Sequence, residues 1–326
     1  LQDYLDRHFG SDTEDPALWK VYTQALDRLY RSEPALSGIL IRIGEGGAIY
    51  QTPGLDYYSS ISVRTVAGVR TMLTAFLGQA EASDREVVFR TWSVGIGAVG
   101  DMHTDPASYE KVLHGIDSPR LIVSTKYTLG DFYSWLPLNI TLAQGDQRRI
   151  VEFQSRREFE GFGAFPNDLG PEFQGAMQQL LAANPHIEGV WAWTQDGGPW
   201  RAGPMTLYLK HGFWQLYDLN ARLASAIARD PAVDVGLVTQ NWVRENFSAD
   251  SATVSAIADA LALSRDAVRQ GLYVQPFAQK RVFALGLEPP PQMWLFEWDI
   301  LTGDSATLDV MATIVGDRSG QAIAEG

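Results

Sequence analysis

What most constrains the fold is a repeated alternation of short β-type runs with helix-type segments. Apolar residues recur at helical spacing over Pro16–Tyr30, after which GILIRIGEGG at Gly38–Gly47 reads as a strand with a glycine-rich end. A helical stretch at about Ser62–Gln79 precedes the strand EVVFRTW (Glu86–Trp92), and a helix over Pro106–Leu113 precedes LIVSTKY (Leu121–Tyr127). A long aromatic loop leads to the strand RRIVEFQ (Arg148–Gln154), a helix near Pro171–Ala183 and the strand IEGVWAW (Ile187–Trp193). Strands separated by helices or long crossovers pair in parallel, which predicts an α/β fold.

From about Gly203 the pattern turns helical, over Thr206–Ala228, Val238–Arg244 and Ser251–Gln270. The expected organisation is therefore residues 1–202 carrying the strands and residues 203–326 forming a mostly helical C-terminal domain. Each strand ends in residues suited to a site: Glu45 after the first, Arg90 and Trp92 on the second, Lys126 on the third, Glu152 to Glu158 on the fourth, Trp193 and Gln195 on the fifth. That placement is expected of a (β/α)8 TIM barrel, whose active site is built from the loops after the strand C-termini. A barrel needs eight strands, so the visible ones are expected to be the fourth to the eighth, with three upstream of Leu1.

Composition removes several function classes. With 326 residues and 45% hydrophobic content, the chain can bury a substantial core. A formal charge of −13 without any Lys/Arg cluster argues against nucleic acid as a partner, because a phosphate backbone needs a basic face. Cysteine is absent, which excludes disulfides and thiolate chemistry and leaves the compartment undetermined. His8, His103, His114, His186 and His211 are scattered without metal-ligand spacing, so no metal is expected. GIGAVG (Gly95–Gly100) has the form of a dinucleotide fingerprint, yet DMHTDP follows where a helix should begin, and the next strand ends in Lys126 rather than an acid. No cofactor is therefore expected, and a loop at the rim of the barrel is the better account.

Paired carboxylates are the stronger lead, since glycoside hydrolysis needs one protonated acid and one carboxylate across the scissile bond. Glu45 lies between glycines that permit close substrate approach; the bland alternative is a solvated turn acid. Asp131 sits in TKYTLGDFYSWLP beside Phe132, Tyr133 and Trp135, which suits either a sugar platform or a packed loop with Asp131 as a cap. In VEFQSRREFEG, strand alternation puts Glu152 and Gln154 on one face. A barrel-facing Glu152 needs a cationic partner, and Arg148, Arg149, Arg156 or Arg157 are the nearby choices. Glu158 falls just past the strand end, and Glu160 looks like rim. Arg90 and Lys126 end adjacent strands, where two cations either bind an anionic substrate group or neutralise the acids.

Together these motifs resemble glycoside hydrolase family 67, the α-glucuronidases. The resemblance rests on Glu45 in IRIGEGG, Lys126 with Asp131-Phe132 as K-x-x-x-x-D-F, and Glu152, Gln154, Glu158 and Phe159 as E-x-Q-x-x-x-E-aromatic. It implies an inverting glycosidase that removes a terminal glucuronic or 4-O-methylglucuronic acid from an oligosaccharide, with Glu45 as general acid and Asp131 and Glu158 activating water. It further implies that Arg90, in VVFRTW, and Lys126 hold the uronate carboxylate. Glu152, Trp92, Trp135 and Trp193 complete the expected substrate-binding set, the tryptophans as stacking surfaces. The stretches FWQLYDLNARLASAIARDP, NWVRENF and LALSRDAV resemble the helical domain through which members often form a homodimer. Departures lie at Ile41, where the family has a lysine, and in YSWLPLN after Asp131; both touch substrate contacts more than chemistry. A carbohydrate-binding or sensing barrel without activity is the alternative from another class, and a glycosidase acting on a different sugar is the alternative within this one.

Overall fold

A computed structural model describes residues 7–9, 12–43, 63–92, 97–128, 137–155, 166–193 and 214–272. Five strands form one parallel sheet in sequential order: β1 (Gly38–Ile41), β2 (Glu86–Arg90), β3 (Leu121–Lys126), β4 (Arg148–Gln154) and β5 (Ile187–Trp193). The helices are α1 (Pro16–Ser32), α2 (Val66–Ser83), α3 (Pro106–Leu113), α4 (Gly170–Ala183), α5 (Trp214–Arg229), α6 (Val235–Asn246) and α7 (Ser251–Leu272). The chain is thus an α/β protein built on a parallel sheet, as the alternating pattern predicts.

The helices begin where side chains can satisfy their first N–H groups. Asp15 and Asp105 cap α1 and α3 just ahead of a proline, Thr65 caps α2, and Asp234 caps α6. At the start of α4, Gly170 has no room for a side chain, since a Cβ there would lie 2.9 Å from Leu223 Cδ2 on α5.

Strand alternation gives the two sheet faces opposite characters. On one face, Val87, Phe89, Leu121 and Val123 pack under α1, α2 and α3 together with Leu18, Leu73 and Phe76. Val151 and Phe153 continue the same face under α4 and α5 with Phe173, Leu180, Ala224 and Ile227. The other turn of α5, at Leu219 and Leu223, packs on Trp242, Val243, Val254 and Leu261 of α6 and α7. One helix thus joins the sheet core to the C-terminal helices across the expected boundary at 202/203.

The opposite face, towards the carboxyl ends of the strands, carries Arg90, Ser124, Lys126, Glu152, Gln154, Trp191 and Trp193. Of these, Arg90, Ser124, Lys126, Glu152 and Gln154 are buried. Charged groups removed from water to that extent need partners, and this concentration marks the face for inspection.

Candidate active site

Strand register sets the geometry. Lys126 pairs with Glu152 and Glu152 with Trp191, while Gln154 pairs with Trp193 one step further along. Arg90 reaches across β3 to Glu152 and donates Nε to Oε1 at 2.8 Å and Nη2 to Oε2 at 2.7 Å. This is the bidentate fork that a guanidinium forms best with a carboxylate. Ser124 Oγ donates to Glu152 Oε1 at 2.7 Å, and Trp193 Nε1 approaches Oε2 at 3.3 Å. Both carboxylate oxygens therefore each accept from two protein donors. Trp191 Nε1 in turn donates to Ser124 Oγ at 2.8 Å, which fixes that hydroxyl's proton towards Glu152.

Burial alone would push the Glu152 carboxyl up, but the Arg90 fork and charge, with help from Ser124 and Lys126, hold it below the usual carboxylate range. Glu152 stays an anion and spends its acceptor capacity on the protein. The Arg90 guanidinium lies 4.7 Å from the Trp193 ring centre and 5.4 Å from that of Trp191, and the two indoles stand 4.7 Å apart. Its remaining nitrogen, Nη1, has no hydrogen-bond partner among the described residues.

Lys126 Nζ sits 3.2 Å from the centre of the Trp92 ring, a cation–π contact in a buried setting. Trp92 meets the His103 ring edge-on at 4.9 Å. His103 is itself held through its backbone carbonyl, which accepts from Asn139 Nδ2 at 2.8 Å and Thr141 Oγ1 at 2.9 Å. The Trp92 ring is therefore the seat of Lys126, in place of the open stacking surface expected from sequence.

Of the expected partners of Glu152, Arg156 and Arg157 lie outside the described residues, and the two that are described need correction. Arg148 is engaged at the other end of the sheet, with Glu86 at 2.6 Å and Glu188 at 2.7 Å. Arg149 points to the helix face and bonds the carbonyls of Thr141 and Gln144 and the hydroxyl of Tyr109. The true partner, Arg90, is 62 positions away.

Arg90, Lys126, Trp92, Glu152 and Trp193 are brought together at the carboxyl ends of β2 to β5. Glu45, Asp131, Trp135 and Glu158 lie outside the described residues. The glycine-rich GIGAVG leads into a short 3-10 turn at Gly97–Val99, and α3 begins only at Pro106, so no described helix starts on those glycines. Sequence reasoning passed over Ser124 and Trp191. Both were within reach of strand parity, being two positions before Lys126 and Trp193. Among the described residues there is no group of histidines and carboxylates able to hold a metal ion. A comparison of the chain with known protein families and with curated proteins finds no match.

Proposed function

We propose that the chain is an inverting, α-glucuronidase-like glycoside hydrolase, its five strands forming part of the wall of a (β/α)8 barrel followed by a helical C-terminal domain. The sheet is wound in one direction with its helices on one face, which is how a barrel wall is built, and the other face then lines the interior. One observation supports a site there above all: an ionised, buried Arg90–Glu152 pair and a buried Lys126 stand at the carboxyl ends of the strands. Such groups are costly in a core and useful at a site.

In this reading Glu45 protonates the leaving oxygen, and Asp131 and Glu158 hold and deprotonate the attacking water. The two cations are placed differently. Arg90 is committed to Glu152 through its bidentate fork, while Lys126 stands over Trp92 on the adjacent strand, so they would meet a uronate carboxylate in different ways. Arg90 contributes a fixed N–H edge through Nη1. Trp191 and Trp193 supply apolar area on the same wall. Inversion requires Glu45 to stand roughly 6.5–9.5 Å from the basic carboxylates, leaving room for a water.

The test is to give the protein a panel of uronic-acid-capped oligosaccharides and follow the released sugar by proton NMR. Release of the β-anomer from an α-linked uronide is the expected outcome. Cleavage of neutral glycosides with inertness towards uronides would remove the substrate assignment. Glu45→Gln should abolish turnover and spare binding, whereas a wild type that binds uronides and never turns them over would be the inactive binding barrel.

A further inference from the structure

We infer that Arg265 of α7 is a positioning residue for Lys126, acting through Glu172 and Tyr127. The inference deepens the uronide reading and rests on it only where turnover is measured.

Tyr127 follows Lys126, so its side chain leaves the chain on the opposite, helix-covered face. Its ring meets Phe153 at 5.1 Å and Phe173 at 5.6 Å, both edge-on. Its hydroxyl donates to Glu172 Oε1 at 2.8 Å. The other Glu172 oxygen pairs with the guanidinium of Arg265, and both of these side chains are more than four-fifths buried, at 17% and 16% exposure. The Tyr127 backbone is held as well, its N–H on Glu152 O at 3.1 Å and its carbonyl accepting from Asn139 N at 2.8 Å. With ring, hydroxyl and backbone all fixed, the last turn of β3 has one orientation, and the direction in which Lys126 leaves the strand follows from it.

Glu172 can serve as a fixed point because the start of α4 is itself anchored. Ser264 on α7 accepts from Asp168 N at 3.0 Å, and Thr239 on α6 donates to Asp168 Oδ2 at 2.9 Å. Asn220 on α5 accepts from Leu169 N at 3.0 Å and donates to Asn167 O at 3.1 Å. Each C-terminal helix thus gives one buried side chain to the three residues, Asn167 to Leu169, that lead into α4. A buried ion pair behind a tyrosine–carboxylate hydrogen bond is a poor way to gain stability where a phenylalanine could pack. It is a good way to fix direction, because the Tyr127–Glu172 bond is charge-assisted and directional and the charge of Arg265 keeps its carboxylate in place.

The experiment compares Tyr127→Phe and Arg265→Met with wild type. On an α-glucuronide, misplacing the cation should raise KM about tenfold while kcat per folded molecule holds, since the reacting groups are untouched. A purely structural role would lower the active fraction and leave KM alone, and an unchanged KM in both variants overturns the inference. Arg265→Lys, which keeps the charge, should recover part of the loss. Amide hydrogen exchange at Lys126–Thr128 reads the same link without turnover. Faster exchange there in both variants, with α2 unchanged, supports it. Unchanged exchange overturns it, even in a protein that proves inert on every uronide; in that case hydrolysis fails as a separate reading.

Discussion

At the scale of single residues, the Arg90–Glu152 pair decides most of what the site can do. Removing one partner of a buried pair leaves the other charge stranded, so Arg90→Met should cost about 3–5 kcal/mol in urea unfolding. The double variant Arg90→Met/Glu152→Leu should recover most of that loss, because the desolvation penalty leaves with both charges. If the double variant is no better than the single one, the pair is not the unit assumed. The lowered Glu152 carboxyl gives the pH sense. Its contribution is present above the unfolded-state carboxylate range and is lost as pH falls through the depressed folded value. The stability gap between wild type and Glu152→Gln should accordingly close in acid.

Asp168 has the opposite sign. Burial pushes its carboxyl up, against the smaller pull of the Gly170 N–H and the Thr239 hydroxyl. The native state then takes up a proton before the unfolded state does, so stability falls as pH rises from the ordinary carboxylate range through the raised value. Asp168→Asn should melt above wild type at neutral pH, and that advantage should vanish below the ordinary carboxylate range, where Asp168 is protonated in both the folded and the unfolded state. Melting curves across this interval check it, and an advantage independent of pH would refute the charge argument.

At the scale of elements, β4 shows which features were legible in the sequence and which were not. Its alternation was readable, and Val151 and Phe153 do face the helices while Glu152 and Gln154 face away. The Arg90 fork on Glu152 was not readable, because sequence proximity offers Arg148, Arg149, Arg156 and Arg157; parity with register disposes of the first two, and the last two lie outside the described residues. Arg149 shares the face of Val151, and Arg148 sits at the strand's amino end between Glu86 and Glu188. Side-by-side placement of β2, β3 and β4 brings Arg90 in, and lateral order is a property of the sheet that no local pattern encodes. The same holds for Trp92, whose aromatic character suggests stacking until Lys126 is seen over its ring. Arg149 has its own consequence. It ties β4 to α3 through Tyr109 and to the 3-10 turn Ile140–Ala143 through the carbonyls of Thr141 and of the capping residue Gln144. Arg149→Met should therefore cost about 3 kcal/mol, the order expected for losing charge-assisted hydrogen bonds. Urea midpoints would show it, and a cost under about 1 kcal/mol would mean that the turn finds other donors.

At the scale of the whole molecule, the question is whether the C-terminal helices fold with the sheet or beside it. Two independently folding parts would lose protection separately, as multidomain proteins often do. The packing argues for coupling, because α5 presents Ala224 and Ile227 to Phe153 and Phe173 on one side and Leu219 and Leu223 to Trp242 and Val254 on the other. Polar contacts run the same way, from Asn220, Thr239 and Ser264 to the start of α4. Ile227, with 0% exposure, is the cleanest probe of this seam. Ile227→Ala should cost about 2–5 kcal/mol through lost burial and an unfilled cavity. In a coupled molecule, native-state hydrogen exchange should report that loss equally in the slowest amides of β4 and of α6. A loss confined to α5, α6 and α7, with β4 keeping its full protection, would mean that the helices form a separate folding unit. The relay from Arg265 to Lys126 would then cross a boundary between two cooperative units, and its effect on KM should weaken under mild denaturant before the sheet itself gives way.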